Sequence, residues 1–158
     1  MPSSPITDVL PKGAWQGEPA DRVVLDYDGR HRRRIVLTGA SGAEYLLDLA
    51  ETTHLRDGDG LQSGRGIVQV VAKPEPLMEI RAASPQALVR LAWHIGNRHL
   101  AAAISAERIL IRRDHVIGHM LEHLGASVRN VEEAFDPEGG AYHDHGPDAH
   151  HGDHAHDH

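Results

Sequence analysis

The 158-residue sequence predicts an α+β protein in three parts: a small all-β domain over 1–74, a βαββαβ domain over 75–142 and a disordered His-rich tail over 143–158. Three observations predict this. Up to Lys73 the apolar residues fall in short runs broken by Gly and Asp, the pattern of strands and tight turns. From Leu77 to Phe135 the apolar spacing switches between the period of a strand and that of a helix, with capping residues at the switches. From His143 onward no aliphatic side chain is larger than Ala, so this segment cannot bury enough surface to offset its chain entropy.

In chain order, RVVLDY (22–27) and RHRRRIVL (30–37) are expected to form a hairpin across Asp28-Gly29, a dipeptide that tolerates the positive φ of tight hairpin turns. EYLLDL (44–49) and GIVQVVAK (66–73) are further strands, separated by the Gly- and Asp-rich RDGDGLQSGRG (56–66), which is expected to be a loop. Pro74-Glu75-Pro76 restricts the backbone twice and removes two donors, marking a linker or the start of a strand. LMEIRA (77–82) is strand-like. Ser84 then serves as N-cap and Pro85 as the first helical residue of a run whose Leu88, Leu91, Ala92 and Ile95 share one face, ending at Gly96-Asn97. AAAIS (101–105) and RILIRR (108–113) are short strands across Ala106-Glu107. Asp114 caps a second helix, HVIGHMLEHL (115–124), with an apolar face of Val116, Ile117, Met120, Leu121 and Leu124 and a stop at Gly125. SVRNVEEAF (127–135) closes the unit as a strand, and the resulting order is the ferredoxin-like split βαβ arrangement.

Composition removes several function classes. The absence of Cys excludes disulfides, thiolate zinc sites, iron–sulfur clusters and a Cys nucleophile. Aromatic residues make up only 4 %, too few for base-stacking platforms, and Lys12 and Lys73 are the only lysines in a chain of formal charge −7. No polybasic footprint for nucleic acid or an anionic membrane is present. The N-terminus has neither the basic start nor the apolar run of a signal peptide, and no stretch approaches the ~20 apolar residues of a membrane span. The expectation is a soluble cytoplasmic protein.

Histidine stands apart, with 14 residues, seven of them in the tail beside four Asp. His143, His145, His150, His151, His154, His156 and His158 alternate with carboxylates at short spacings. A flexible chain of that kind can wrap a borderline divalent ion, whether nickel, copper, zinc or cobalt. It cannot define one site of fixed geometry. The alternative is an inert solubilising tail or an expression tag, although a tag would be a pure His run. The tail also carries four of the seven net negative charges, leaving −3 on the body.

The second helix adds His115, His119 and His123 at four-residue steps, forming a stripe beside its apolar face with Glu122 adjacent. Two such imidazoles can share one metal; a solvated polar face is the competing reading. HVIGH lacks the Glu that an HExxH zinc hydrolase uses as its base. No P-loop, GxSxG elbow or acid/base dyad is present, so no catalytic turnover is expected. His94 and His99 flank the end of the first helix.

The combination of WHIGNRHL (93–100), ILIRRDHV (109–116), LGA (124–126), FDPEGGAYHDHG (135–146) and a His-rich end resembles the UreE family of urease accessory nickel chaperones. The specific motifs cover about residues 77 to 158; before that only the general β character agrees. The resemblance implies a homodimer made through the ferredoxin-like domains and an N-terminal β domain that contacts partner proteins. It implies that His99 from each subunit holds one Ni(II) ion at the dimer interface and that His115 lies nearby and adds to metal binding. The family's further His two positions earlier is Arg113 here, so His119 or His123 is a candidate replacement, while His94 is structural. The implied cargo is Ni(II), with Zn(II) or Cu(II) as competitors, and the implied partners are a urease accessory GTPase and the urease apoprotein complex. Two alternatives differ in class: a nickel or zinc storage protein with no delivery role, and a metal hydrolase built on the helical His stripe.

Overall fold

The computed structural model describes residues 4–139, so the tail from His143 to His158 and its expected disorder lie outside the described residues. Among those residues the fold is α+β, with sheets alone in the first half and both helices in the second.

Six strands build the N-terminal half: β1 (Val9–Leu10), β2 (Asp21–Leu25), β3 (His31–Thr38), β4 (Glu44–His54), β5 (Gly60–Ser63) and β6 (Gly66–Ala72). They form a four-stranded sheet in the order β1-β5-β6-β2 and a β3-β4 ribbon, joined at an isolated bridge between Ile6 and Leu47. Alternating residues turn inward, and Val23, Leu37, Tyr45, Leu47, Leu61, Val68 and Val70 make one core around Ile6.

Two expectations for this half are corrected. The hairpin across Asp28-Gly29 does not form: β2 pairs in parallel with β6, and β3 pairs antiparallel with β4. Residues Asp28–Arg30 instead make one 3-10 turn, with Gly29 N–H donating to the Asp26 carboxylate at 2.7 Å. The turn carries the Arg30 side chain into the interior, where its guanidinium donates to the carbonyls of Leu25, Leu55 and Phe135. That burial redirects the chain away from β2. The 56–66 segment is likewise not all loop, because Gly60–Ser63 pairs with β6 across a tight turn at Gly64-Arg65, after which β6 opens on Gly66, whose φ of +119° only glycine adopts readily. EYLLDL also extends, to His54.

The C-terminal half follows the expected order: β7 (Pro74–Arg81), α1 (Pro85–Asn97), β8 (Ala103–Ile104), β9 (Ile109–Arg112), α2 (His115–His123) and β10 (Ser127–Ala134). Its antiparallel sheet runs β10-β7-β9-β8, which brings the first and last strands side by side. Pro74 and Pro76 begin β7 where it has β10 on one edge only; pairing with β9 starts at Leu77, so their missing N–H groups break no ladder. Ser84 accepts the Ala87 N–H, and Asp114 accepts those of Val116 and Ile117, as the capping pattern requires.

One face of this sheet meets both helices through Met78, Ile80, Ile109 and Ile111 against Leu88, Leu91, Ile95 and Leu121. The apolar face expected for α2 is narrower than drawn from sequence: Val116 and Leu124 are exposed, whereas Gly118 is buried. A Cβ at Gly118 would stand 3.2 Å from Met78 Sδ, so the helix rolls glycine-side down onto the sheet. The other sheet face packs Leu77, Leu110 and Phe135 against Tyr27 of the first half.

Candidate metal centre

Helix α1 ends where the chemistry begins. Arg98 is its C-cap, and His99 follows with φ +58°, the one non-glycine residue among those described with a left-handed backbone. His99 N–H donates to Gly96 O at 3.0 Å and Leu100 N–H to Ile95 O at 3.5 Å, while Leu100 packs in the same core as Ile95. These are the bonds and the apolar contact of a Schellman motif, in which glycine usually fills the position held here by His99. A left-handed L-residue costs about 1 kcal/mol. The geometry lifts the imidazole out of the helix and exposes it to solvent.

His99 lines a depression of about 210 Å³ with Leu100, Ala101, Ile111, Arg112, Arg113, Asp114 and Ile117. The start of α2 therefore forms the opposite rim, and His115, its exposed first residue, directly follows the rim residue Asp114. Arg113 lines the same depression, but its guanidinium is already engaged: it donates to Leu77 O at 3.1 Å and Val131 O at 3.0 Å and pairs with Glu132. His94 stands half-buried on the last turn of α1 with its ring 5.1 Å from that of Trp93. His119 and His123 are exposed on α2. Among the described residues no three His, Asp or Glu side chains come together as a metal cage. One chain thus brings an exposed His99 to a depression whose lining holds one imidazole, His99, and one carboxylate, Asp114.

The route toward the tail passes the same place. After β10, Phe135 is buried, and Asp136 accepts from Arg56 at 2.7 Å and faces Arg30 at 3.5 Å. Glu138 N–H then donates to Ala102 O at 2.7 Å, three residues beyond His99. His143, His145, His150, His151, His154, His156 and His158 lie outside the described residues.

Sequence reasoning did not find a second group, at the junction of the halves. His54 ends β4 opposite His31, with its ring 5.0 Å from that of Tyr27, and its buried Nε2 has no hydrogen-bond partner. Burial first, then the neighbouring guanidinium groups of Arg30 and Arg56, push its pKa down to about 4. A His at the end of an ordinary strand carries no sequence signal for this.

Comparison with known proteins bears on both halves. The family model described as "UreE urease accessory protein, N-terminal domain" matches residues 6–73, and that described as "UreE urease accessory protein, C-terminal domain" matches 75–158. A "Urease accessory protein UreE" of Bradyrhizobium sp. strain ORS 278 is 56% identical over 138 residues, covering 86% of this chain. This chain spans 65% of that relative's length. The like-named protein of Chelativorans sp. strain BNC1 is 52% identical over 142 residues, 87% of this chain and 89% of its own. That of Rhizobium rhizogenes strain K84 is 49% identical over 146 residues, 92% of this chain and 87% of its own.

Proposed function

The chain belongs to the UreE family of urease accessory proteins, and from that premise we propose that it is a metallochaperone delivering Ni(II) to the urease apoprotein during assembly of its active site. The observation that carries this reading is His99, exposed, held in a left-handed backbone, and set in a depression where one chain supplies too few ligands to close a shell. Two copies of His99 across a symmetry axis would hold one ion and leave positions through which ligands exchange, which suits a carrier. His115, on the same rim, adds to the site.

The proposed homodimer joins through the C-terminal domain, read as ferredoxin-like and bounded at residues 75–142. Val89 and Trp93, one helical turn apart on α1, are 69% and 63% exposed and supply apolar surface for such a contact. The β domain, residues 1–74, faces the partners, a urease accessory GTPase and the urease complex. The tail collects and passes ions. His143 lies four residues past Gly139, about 14 Å of extended chain, and the anchoring of Glu138 on Ala102 supports a reach from the tail to the His99 depression. Zn(II) and Cu(II) compete for the same imidazoles. The protein acts in the cytoplasm and performs no turnover of its own; no helix among the described residues is long and apolar enough to cross a membrane.

Nickel-dependent activation of apo-urease by the purified chain tests this. His99→Ala is expected to lose most of the activation, whereas a chain ending at Tyr142 retains part of it. Activation that follows tail length and ignores His99→Ala would instead identify a storage protein.

A further inference from the structure

Three histidines of α2 remain outside the depression: His115, His119 and His123 recur every four residues along the helix and are exposed. Four residues turn an α-helix by about 400° and advance it by about 6 Å, so successive imidazoles sit one above the next with Cβ atoms about 5–6 Å apart. The roll of the helix is fixed from the other side. Gly118 packs over Met78 and Val128, and Leu121 is fully buried, which keeps the stripe in solvent.

The surroundings favour a cation. The helix, HVIGHMLEH, contains no Lys or Arg, and Glu122 lies next to the stripe. Arg113, just before it, is spent on Leu77 O, Val131 O and Glu132. Imidazole nitrogens bind borderline divalent ions at about 2.0–2.1 Å, and two rings at this Cβ spacing converge on one ion by rotation about their own side-chain bonds.

We infer that the stripe is a metal site in its own right, made of two overlapping two-imidazole chelates, His115/His119 and His119/His123, for a borderline divalent cation such as Ni(II), Cu(II) or Zn(II). His119 belongs to both pairs, so the helix holds one ion at a time. Moving that ion from one pair to the other exchanges a single imidazole while His119 stays bound. No third His, Asp or Glu gathers there among the described residues, so water completes the shell and the ion leaves readily. Asp114 and Ile117 place the first turn of α2 on the rim of the His99 depression. The stripe is therefore a surface path ending at that rim.

The full-length protein with Ni(II) as the probe tests the site, read by diethylpyrocarbonate modification of each His with peptide mass mapping. In His99→Ala, which removes the interfacial site that His115 also serves, nickel is expected to slow modification several-fold at His119 and less at His115 and His123, whose protection is divided between two pairs. In the unaltered chain the same ratio of His119 to His123 protection is expected. In His119→Gln, nickel is expected to protect neither His115 nor His123 in the His99→Ala background, and equilibrium dialysis should show the loss of one ion per subunit. Unchanged modification of His119 with nickel would overturn the inference. So would protection of His115 and His123 that survives His119→Gln in that background.

Discussion

At the scale of single residues, His99 combines strain with exposure, and the two have separable consequences. Its left-handed backbone costs about 1 kcal/mol that glycine would not incur. His99→Gly is therefore expected to raise stability to urea by up to about 1 kcal/mol, while abolishing the tightest nickel site in calorimetry. A less stable variant would mean that the imidazole makes contacts essential to the fold. The identity of this residue was legible from its motif and its place after Gly96-Asn97, but the strain was not, because a non-glycine C′ residue leaves no local pattern. His54 was invisible for a different reason: Tyr27, which packs on its ring, and Arg30, whose charge acts on it, lie far from it in the sequence and meet it only in the folded chain. Its folded pKa, about 4, lies below the ordinary value of 6.5 that it has when unfolded, so the unfolded chain takes up a proton first as pH falls. Stability from neutral His54 is present above that upper value and is lost progressively toward pH 4. His54→Gln is expected to flatten the fall in melting temperature between pH 6.5 and 4; an unchanged slope would remove His54 as its source.

Among the elements, the face of the C-terminal sheet away from the helices adds ions to its apolar cluster. Glu79 on β7 is 4% exposed by its side chain and is surrounded by Arg81, Arg108 and Arg129, while Arg108 also grips Glu133 on β10 at 2.6 and 2.8 Å. Hydrogen bonds from Arg81 and Arg108 outweigh burial and hold the Glu79 carboxyl down to about 2. Being depressed, it contributes stability above its ordinary value near 4.5 that is lost as pH falls toward 2. Glu79→Ala, which leaves three guanidinium groups facing one another, is expected to destabilise by about 3 kcal/mol in denaturant unfolding; a loss well under 1 kcal/mol would show that the network is solvated. The strands and helices of this half were legible because their signals are local: Ser84-Pro85, Asp114 and Gly125 each act within one turn. The β2–β3 connection was not, since Asp28-Gly29 reads as a hairpin turn until Arg30 is drawn under Phe135, a residue more than a hundred positions away.

For the whole molecule, the two cores meet at one junction, where Arg30, Tyr27 and Arg56 of the first half hold Phe135, Asp136 and Pro137 of the second. Arg112 reaches back across it, 2.9 Å from Asp28 and 4.7 Å from the centre of the Tyr27 ring. Arg30→Met removes the donor to three carbonyls and is expected to split thermal unfolding into two transitions in scanning calorimetry, with a single transition showing that the halves are coupled by other contacts. The same junction fixes where the chain leaves toward its His-rich end, beside the segment that carries His99. The two-domain plan and the His residues were legible in sequence, whereas this anchoring depends on contacts that only the folded chain brings together. The proposed sharing of one nickel ion by two His99 side chains, one from each chain, can be measured by calorimetric titration of the full-length protein with Ni(II). A tightest class of one ion per two chains that disappears in His99→Ala is expected; a tightest class of one ion per chain, or one undiminished by His99→Ala, would rule the shared site out.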